Sequence, residues 1–151
     1  MSIKEQLEAD GTAALKSKDR LKLGVIRMVR SQVKNAEIAK GHELSDGETI
    51  DVLVSAVKAR RETRDYANEG HRDDMVKQVE QELEILEPYL PQALSEKELR
   101  GIIDAAIQST GATGMNDMGQ VMGKVMPQIK GQADGKQVNA MVRALLQGLS
   151  G

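Results

Sequence analysis

Residues 117–146 read DMGQVMGKVMPQIKGQADGKQVNAMVRALL, and two runs of helical spacing in and around this stretch decide the fold class. Met118, Val121, Met122, Val125, Met126 and Ile129 recur at i, i+3, i+4, i+7, i+8 and i+11, which puts them all on one face of a helix. Val138, Met141, Val142, Leu145, Leu146 and Leu149 repeat the pattern. Between the runs, Lys130-Gly131-Gln132-Ala133-Asp134-Gly135 offers a glycine to end one helix and Asp134 to cap the next, so the corner is chemically specified. Two helices with matching stripes are expected to pack together, burying Met122, Val125, Val142 and Leu145. Lys136, Asn139 and Arg143 share a face read as opposite the second stripe, and Lys124 and Lys130 flank the corner.

Upstream of this pair, Ser95-Glu96-Lys97-Glu98 has the form of a capping box. It opens a helix carrying Leu99, Ile102, Ile103, Ala106 and Ile107 and ending near Gly111. Pro88 and Pro91 bracket Tyr89-Leu90, and proline biases the residue before it away from helix, which predicts a hinge and a division into residues 1–90 and 91–151. In the first part a Ser2–Glu5 capping box predicts a helix to about Lys18, and Asp19 caps a second with Leu21, Val25, Ile26, Met28, Val29, Val33 and Ala36 on a broad apolar face. Gly24 interrupts that helix at a cost of about 1 kcal/mol relative to Ala, either for a close helix crossing or as a tolerated defect. A Ser45–Glu48 capping box opens a third helix with Ile50, Leu53, Val54 and Val57. Asn68 to His71 break the chain before a fourth, with Met75, Val76, Val79, Leu83 and Leu86. No stretch alternates with period two, so the expected fold is all-α: about four N-terminal helices plus a three-helix tail.

Composition fits this. Phe and Trp are absent, Tyr66 and Tyr89 are the aromatics, and the core must be aliphatic with methionine. With no cysteine there is no thiolate chemistry, no disulfide and no thiolate ligand for zinc. No apolar run approaches the roughly 18 residues that span a bilayer, and MSIKEQLEAD is too acidic for a signal peptide, so the expected compartment is the cytoplasm with no membrane partner. A formal net charge of −2 gives the whole chain no general attraction for nucleic acid, and no DNA is expected as a partner.

The tail stretch resembles the C-terminal signature shared by YqeY proteins and the B subunit of tRNA-dependent amidotransferase. Three further segments resemble the YqeY pattern: KDRLKLGVIRMVRSQVKNAEI at 18–38, ELSDGETIDVLVSAVKARRETRDY at 43–66, and ELEILEPYLPQALSEKEL at 82–99. The resemblance thus covers nearly the whole chain and implies a tail of the GatB/YqeY type. It also implies association with carbon–nitrogen ligase chemistry, in which the homologous amidotransferase tail contacts tRNA. One departure is Gln132, where the family usually carries Lys or Arg.

The residues support no catalysis by the isolated chain. There is no phosphate-cradling glycine loop after a strand, no Gly-x-Ser-x-Gly elbow and no Cys nucleophile. His42 and His71 lie beside glycines in polar loops without partners at metal spacing, so neither a metal nor another cofactor is expected. Glu80, Glu82, Glu84 and Glu87 read as a solvated helix face or as partners of nearby cations.

Cations carry the functional expectation. Lys124, Lys130, Lys136, Asn139 and Arg143 form the candidate RNA-binding set, and Arg27, Arg30, Lys34, Lys58, Arg61 and Arg64 a secondary basic patch. That second patch either meets phosphate or pairs with the acidic fourth helix. Scarce aromatics argue against stacking unpaired bases and for shape-and-phosphate contact with a folded RNA such as tRNA. The leading expectation is a non-catalytic accessory protein contacting tRNA, or a protein partner of the translation or amidotransferase machinery. The alternative is a helical protein-interaction adaptor that binds no RNA. A third reading, a component with carbon–nitrogen ligase activity, is carried by the resemblance alone.

Overall fold

The computed structural model describes residues 1–150, so Gly151, the last residue of the expected tail domain, lies outside them. Among the described residues there are seven α-helices and no strand. They are α1 (Ile3–Ser17), α2 (Arg20–Lys40), α3 (Asp46–Glu69), α4 (Asp73–Leu86), α5 (Glu96–Thr110), α6 (Met118–Ile129) and α7 (Gly135–Ser150), with 3-10 turns at Glu87–Tyr89 and Met115–Asp117. The chain forms two compact units, Met1–Leu90 and a second beginning at Pro91.

Helix starts follow the capping chemistry. Ser45 and Ser95 each accept from the backbone N–H of the glutamate three residues on, and Glu48 and Glu98 each accept from the N–H of their capping serine, closing two full capping boxes. Ser2 accepts from the N–H of Glu5 at 3.1 Å and Asp19 from that of Lys22 at 3.2 Å. Lys18 and Gly41 end α1 and α2 in the left-handed region.

In the first unit, α1 to α4 enclose a core that includes Leu7, Ile26, Val29, Leu53, Val57, Leu83 and Leu86. Thr49 is buried with its hydroxyl donating to the Ser45 carbonyl at 2.9 Å, so burial leaves it satisfied. The close approach between helices occurs at Gly11, which is buried and where an added Cβ would stand 3.2 Å from Ile26 Cγ2. A Cβ at Gly24 would meet nothing within 4 Å. Of the two readings of Gly24, the tolerated defect is the one the structure supports.

In the second unit, α5, α6 and α7 share a core whose centre is a narrower line than the full stripes. Val121, Val125 and Ile129 of α6 face Val138, Val142 and Leu146 of α7, all four apart and all essentially inaccessible, with Leu99, Ile103 and Ala106 from α5. Met122, Met141 and Leu145 are half-buried flanks, and Met126 and Leu149 are exposed. The expectation that Met122 and Leu145 belong to the buried centre is therefore corrected: Val121 and Leu146 hold those places. Pro127 lies within α6, where it removes one backbone donor and leaves the exposed Gly123 without its i+4 partner.

Candidate functional site

The corner between α6 and α7 is built by backbone geometry. Gly131 has φ +77°, a conformation that glycine adopts without strain, and Asp134 accepts from the N–H of Lys136 at 3.1 Å to start α7. Gln132 is turned toward the segment that precedes α5. Its carbonyl accepts from the N–H of Leu94 at 2.9 Å, and its Nε2 donates to the Gln92 carbonyl at 3.2 Å. Position 132, where the resemblance implies a cation, thus holds an amide that staples the corner to residues 92–94.

The five tail candidates lie along α6, at the corner and along α7. Lys124 is exposed on α6 and its ammonium donates to Ser109 Oγ of α5. Lys130 is half-buried just beyond α6, and Lys136 is exposed in the first turn of α7. Lys136, Asn139 and Arg143 stack along one side of α7, as their i, i+3, i+7 spacing requires. That side is not opposite the core. At about 100° per residue it sits roughly a quarter turn from the buried line of Val138, Val142 and Leu146, which is why Asn139 is half-buried while Lys136 and Arg143 are exposed.

The secondary cations lie on two helices, Arg27, Arg30 and Lys34 on α2 and Lys58, Arg61 and Arg64 on α3. Arg30 and Lys34 border a groove between α2 and α1 that also holds Lys4, Glu5, Glu8 and Glu37. Arg27 is exposed on α2, on the stripe of Arg30 and Lys34. Lys58 is exposed on α3, with Arg61 and Arg64 half-buried, and Arg64 lies 3.6 Å from the Asp65 carboxylate. Arg60, between them, folds onto α2 instead. None of Glu80, Glu82, Glu84 and Glu87 forms an ion pair among the described residues, so α4 does not neutralise these cations by direct contact.

Two polar arrangements of the first unit were not visible in the spacing. Glu37 pairs with Lys4 at 2.5 Å and accepts from the N–H of Leu44 at 2.8 Å, which ties α1 to the loop after α2 and holds the Glu37 carboxyl below its ordinary range. Tyr89, between the two prolines, donates to Asp10 at 2.5 Å across 79 residues of sequence. Burial, and then that carboxylate, push the Tyr89 phenol upward. Both are long-range pairings of residues that local periodicity treats separately. His42 and His71 are exposed, His71 with φ 56°, and among the described residues no three His, Asp or Glu side chains gather as metal ligands.

The comparisons with known proteins bear on this arrangement as a whole. The family model described as "Yqey-like protein" matches residues 4–146. The chain belongs to the YqeY family. Among curated proteins it is similar to "Altered inheritance of mitochondria protein 41, mitochondrial" from Saccharomyces cerevisiae (strain YJM789), 30% identical over 94 residues, which is 62% of this chain and 51% of the relative. The protein of the same name from Lachancea thermotolerans is 32% identical over 87 residues, 57% of this chain and 46% of the relative. The chain spans about half the length of the curated relatives it matches. Within the YqeY family, then, this chain carries the corner with Gln132 tied to Gln92. No helix among the described residues is long and apolar enough to cross a membrane.

Proposed function

We propose that the chain is a non-catalytic accessory protein of the cytoplasm whose α6–α7 pair contacts structured RNA, tRNA first, alongside translation or tRNA-dependent amidotransferase machinery. The supporting observation is a local charge reversal. Residues 118–150 hold Lys124, Lys130, Lys136 and Arg143 against Asp134 alone, four minus one or +3, in a chain whose formal balance is −2. The Asp134 carboxylate is engaged at the start of α7, and Lys136 and Arg143 are exposed on the same side of that helix. Such a surface suits phosphate contact without base reading. The resemblance of this stretch to the amidotransferase tail supports the choice of tRNA.

A mobility-shift titration with bulk tRNA at two salt concentrations tests it, comparing the natural chain with Lys136→Ala/Arg143→Ala and Gln132→Arg. Binding is expected to weaken steeply with salt, and the double variant to bind more weakly with a flatter salt dependence by about one unit of slope per charge removed. Gln132→Arg is expected to tighten binding if the corner faces phosphate. Three indistinguishable affinities overturn the reading and leave the protein-interaction adaptor ahead of it.

A further inference from the structure

The first unit contains a groove of about 470 Å³ between α2 and α3, lined by none of the tail residues proposed for RNA contact. Small side chains, Ala36, Ser55 and Ala59, line it together with Met28 and Val52, and Arg60 stands at the end remote from the α2–α3 loop. The Arg60 guanidinium is held in an unusual way. Nη1 donates to the Ala56 carbonyl at 3.0 Å, Nη2 to the thioether sulfur of Met28 at 3.3 Å, and Nε is sealed from solvent with no acceptor. No carboxylate pairs with Arg60 among the described residues, whereas Lys40 and Glu48 at the other end pair with each other at 2.8 Å. A guanidinium is charged at all accessible pH, and a neutral carbonyl and a weakly accepting sulfur compensate its desolvation poorly. The groove is an apolar trough with one cation lacking a counter-charge.

Its shape selects the kind of occupant. Val52, Ser55 and Ala59 follow one seam of α3 at the 3,4 spacing of helix-on-helix packing, and Tyr66, seven residues beyond Ala59 on that seam, is 80% exposed. From Val52 to Tyr66 the seam is about 21 Å long, room for roughly four turns of a third helix. Small residues allow close approach of its backbone, and Met28 adapts to irregular partners. Phosphate is a poor match, because Glu48 and Asp51 line the same groove. The apolar face of the chain's own acidic helix α4 is spent on its core through Val79, Leu83 and Leu86.

We infer that this groove docks an amphipathic helix of a partner protein, whose apolar face lies on Met28, Val52 and Ala59 and whose Asp or Glu pairs with Arg60. This is the helix-in-groove mode of recognition, with specificity supplied by one buried charge pair. It does not depend on the tail contacting RNA.

A phage-displayed library of helical peptides, selected on the full-length chain and followed by fluorescence anisotropy, provides the probe. The selected peptides are expected to carry apolar residues at i, i+3 or i+4, and i+7 with an acidic residue on the same face. Ala59→Arg, at an exposed position that a long side chain fills, is expected to weaken them at least tenfold, as is Arg60→Gln. Changing the peptide's acid to lysine is expected to abolish binding to the natural chain and restore it to Arg60→Glu. Circular dichroism checks that each variant keeps its helices, and Ala59→Arg decides the matter if the Arg60 variants unfold. No enrichment, enriched peptides indifferent to Ala59→Arg, or binding only of a second copy, seen by sedimentation as a dimer that Ala59→Arg dissolves, each overturns the inference. So does loss of tRNA binding in Ala59→Arg, which would make the groove part of a nucleic-acid surface.

Discussion

Gln132 donates its side-chain amide to the carbonyl of Gln92, 40 residues earlier, at 3.2 Å, while its own carbonyl accepts from Leu94. The α6–α7 corner is thereby fastened to the strap that leads into α5. The side-chain bond is solvent-exposed, so its loss in Gln132→Ala is expected to cost about 0.5–1 kcal/mol, the lower range for a hydrogen bond. Urea denaturation monitored by circular dichroism measures this. Gln132→Glu removes the donor while keeping the size, and is expected to lose at least as much; a variant as stable as the natural chain would show that the contact does not contribute.

Leu146 is fully buried in the second unit and Leu145 only half-buried. Leu146→Ala is expected to destabilise by about 2–5 kcal/mol, the range for a buried leucine truncated to alanine. Leu145→Ala is expected to cost less than half as much. Parallel denaturation curves decide the order, and equal losses would mean that the four-residue line from Val138 to Leu146 is not the centre of the core.

The reason this order was missed in the sequence is physical. A stripe of i, i+3, i+4, i+7 marks a face some 100° wide, and periodicity cannot say which line of that face meets the neighbouring helices. Helix number, caps and the all-α class were legible because each rests on local chemistry, as at Ser45 with Glu48 and Ser95 with Glu98. The close crossing was not: Gly11 and Gly24 look alike in sequence, and only the packing of Ile26 separates them. The same limit explains the candidate site. Lys136, Asn139 and Arg143 were found on one side of α7 by spacing alone, while the inward turn of Gln132, the Tyr89–Asp10 bond and the isolation of Arg60 depend on contacts between distant segments.

The two glycines provide a matched pair of substitutions. Gly24→Ala adds a methyl group to open space in a helix and is expected to stabilise by about 0.5–1 kcal/mol. Gly11→Ala gains the same propensity but places its Cβ at 3.2 Å from Ile26, and is expected to show less gain or a loss. Gly11→Val exceeds the space and is expected to destabilise by about 1–3 kcal/mol. Thermal melting of the three variants gives the ranking; a Gly11→Ala protein more stable than Gly24→Ala would contradict the crossing.

The two units are proposed to fold as separate domains, since bonding ties Tyr89 back to Asp10 and Leu94 forward to Gln132, leaving few residues between. Limited digestion with a broad-specificity protease is expected to cut first between Tyr89 and Leu94 and to leave two protected helical fragments. First cuts near Gly41 or Gly70, with residues 89–94 intact, would argue against that boundary.

Acid stability offers a test of the α2–α3 connection. The Glu48 carboxylate accepts from the Lys40 ammonium at 2.8 Å and from the Ser45 N–H at 3.1 Å, and these bonds, the lysine's first, lower its pKa from 4.5 to about 2. A carboxyl whose pKa is lower in the folded chain than in the unfolded one binds its proton more readily after unfolding. Its stabilising contribution is therefore complete above the unfolded value and is lost as pH falls from about 4.5 toward about 2. Glu37, held low by Lys4 and the Leu44 N–H, acts in the same direction. Glu48→Gln removes the titrating group, so the variant is expected to be less stable than the natural chain at pH 7, with the difference shrinking through the acid window. Lys40→Met should reduce the pH dependence without abolishing it, because the Ser45 bond remains. Urea midpoints measured from pH 7 to pH 2.5 follow the difference directly. A gap between the natural chain and Glu48→Gln that stays constant across that range would remove Glu48 as a source of the acid sensitivity.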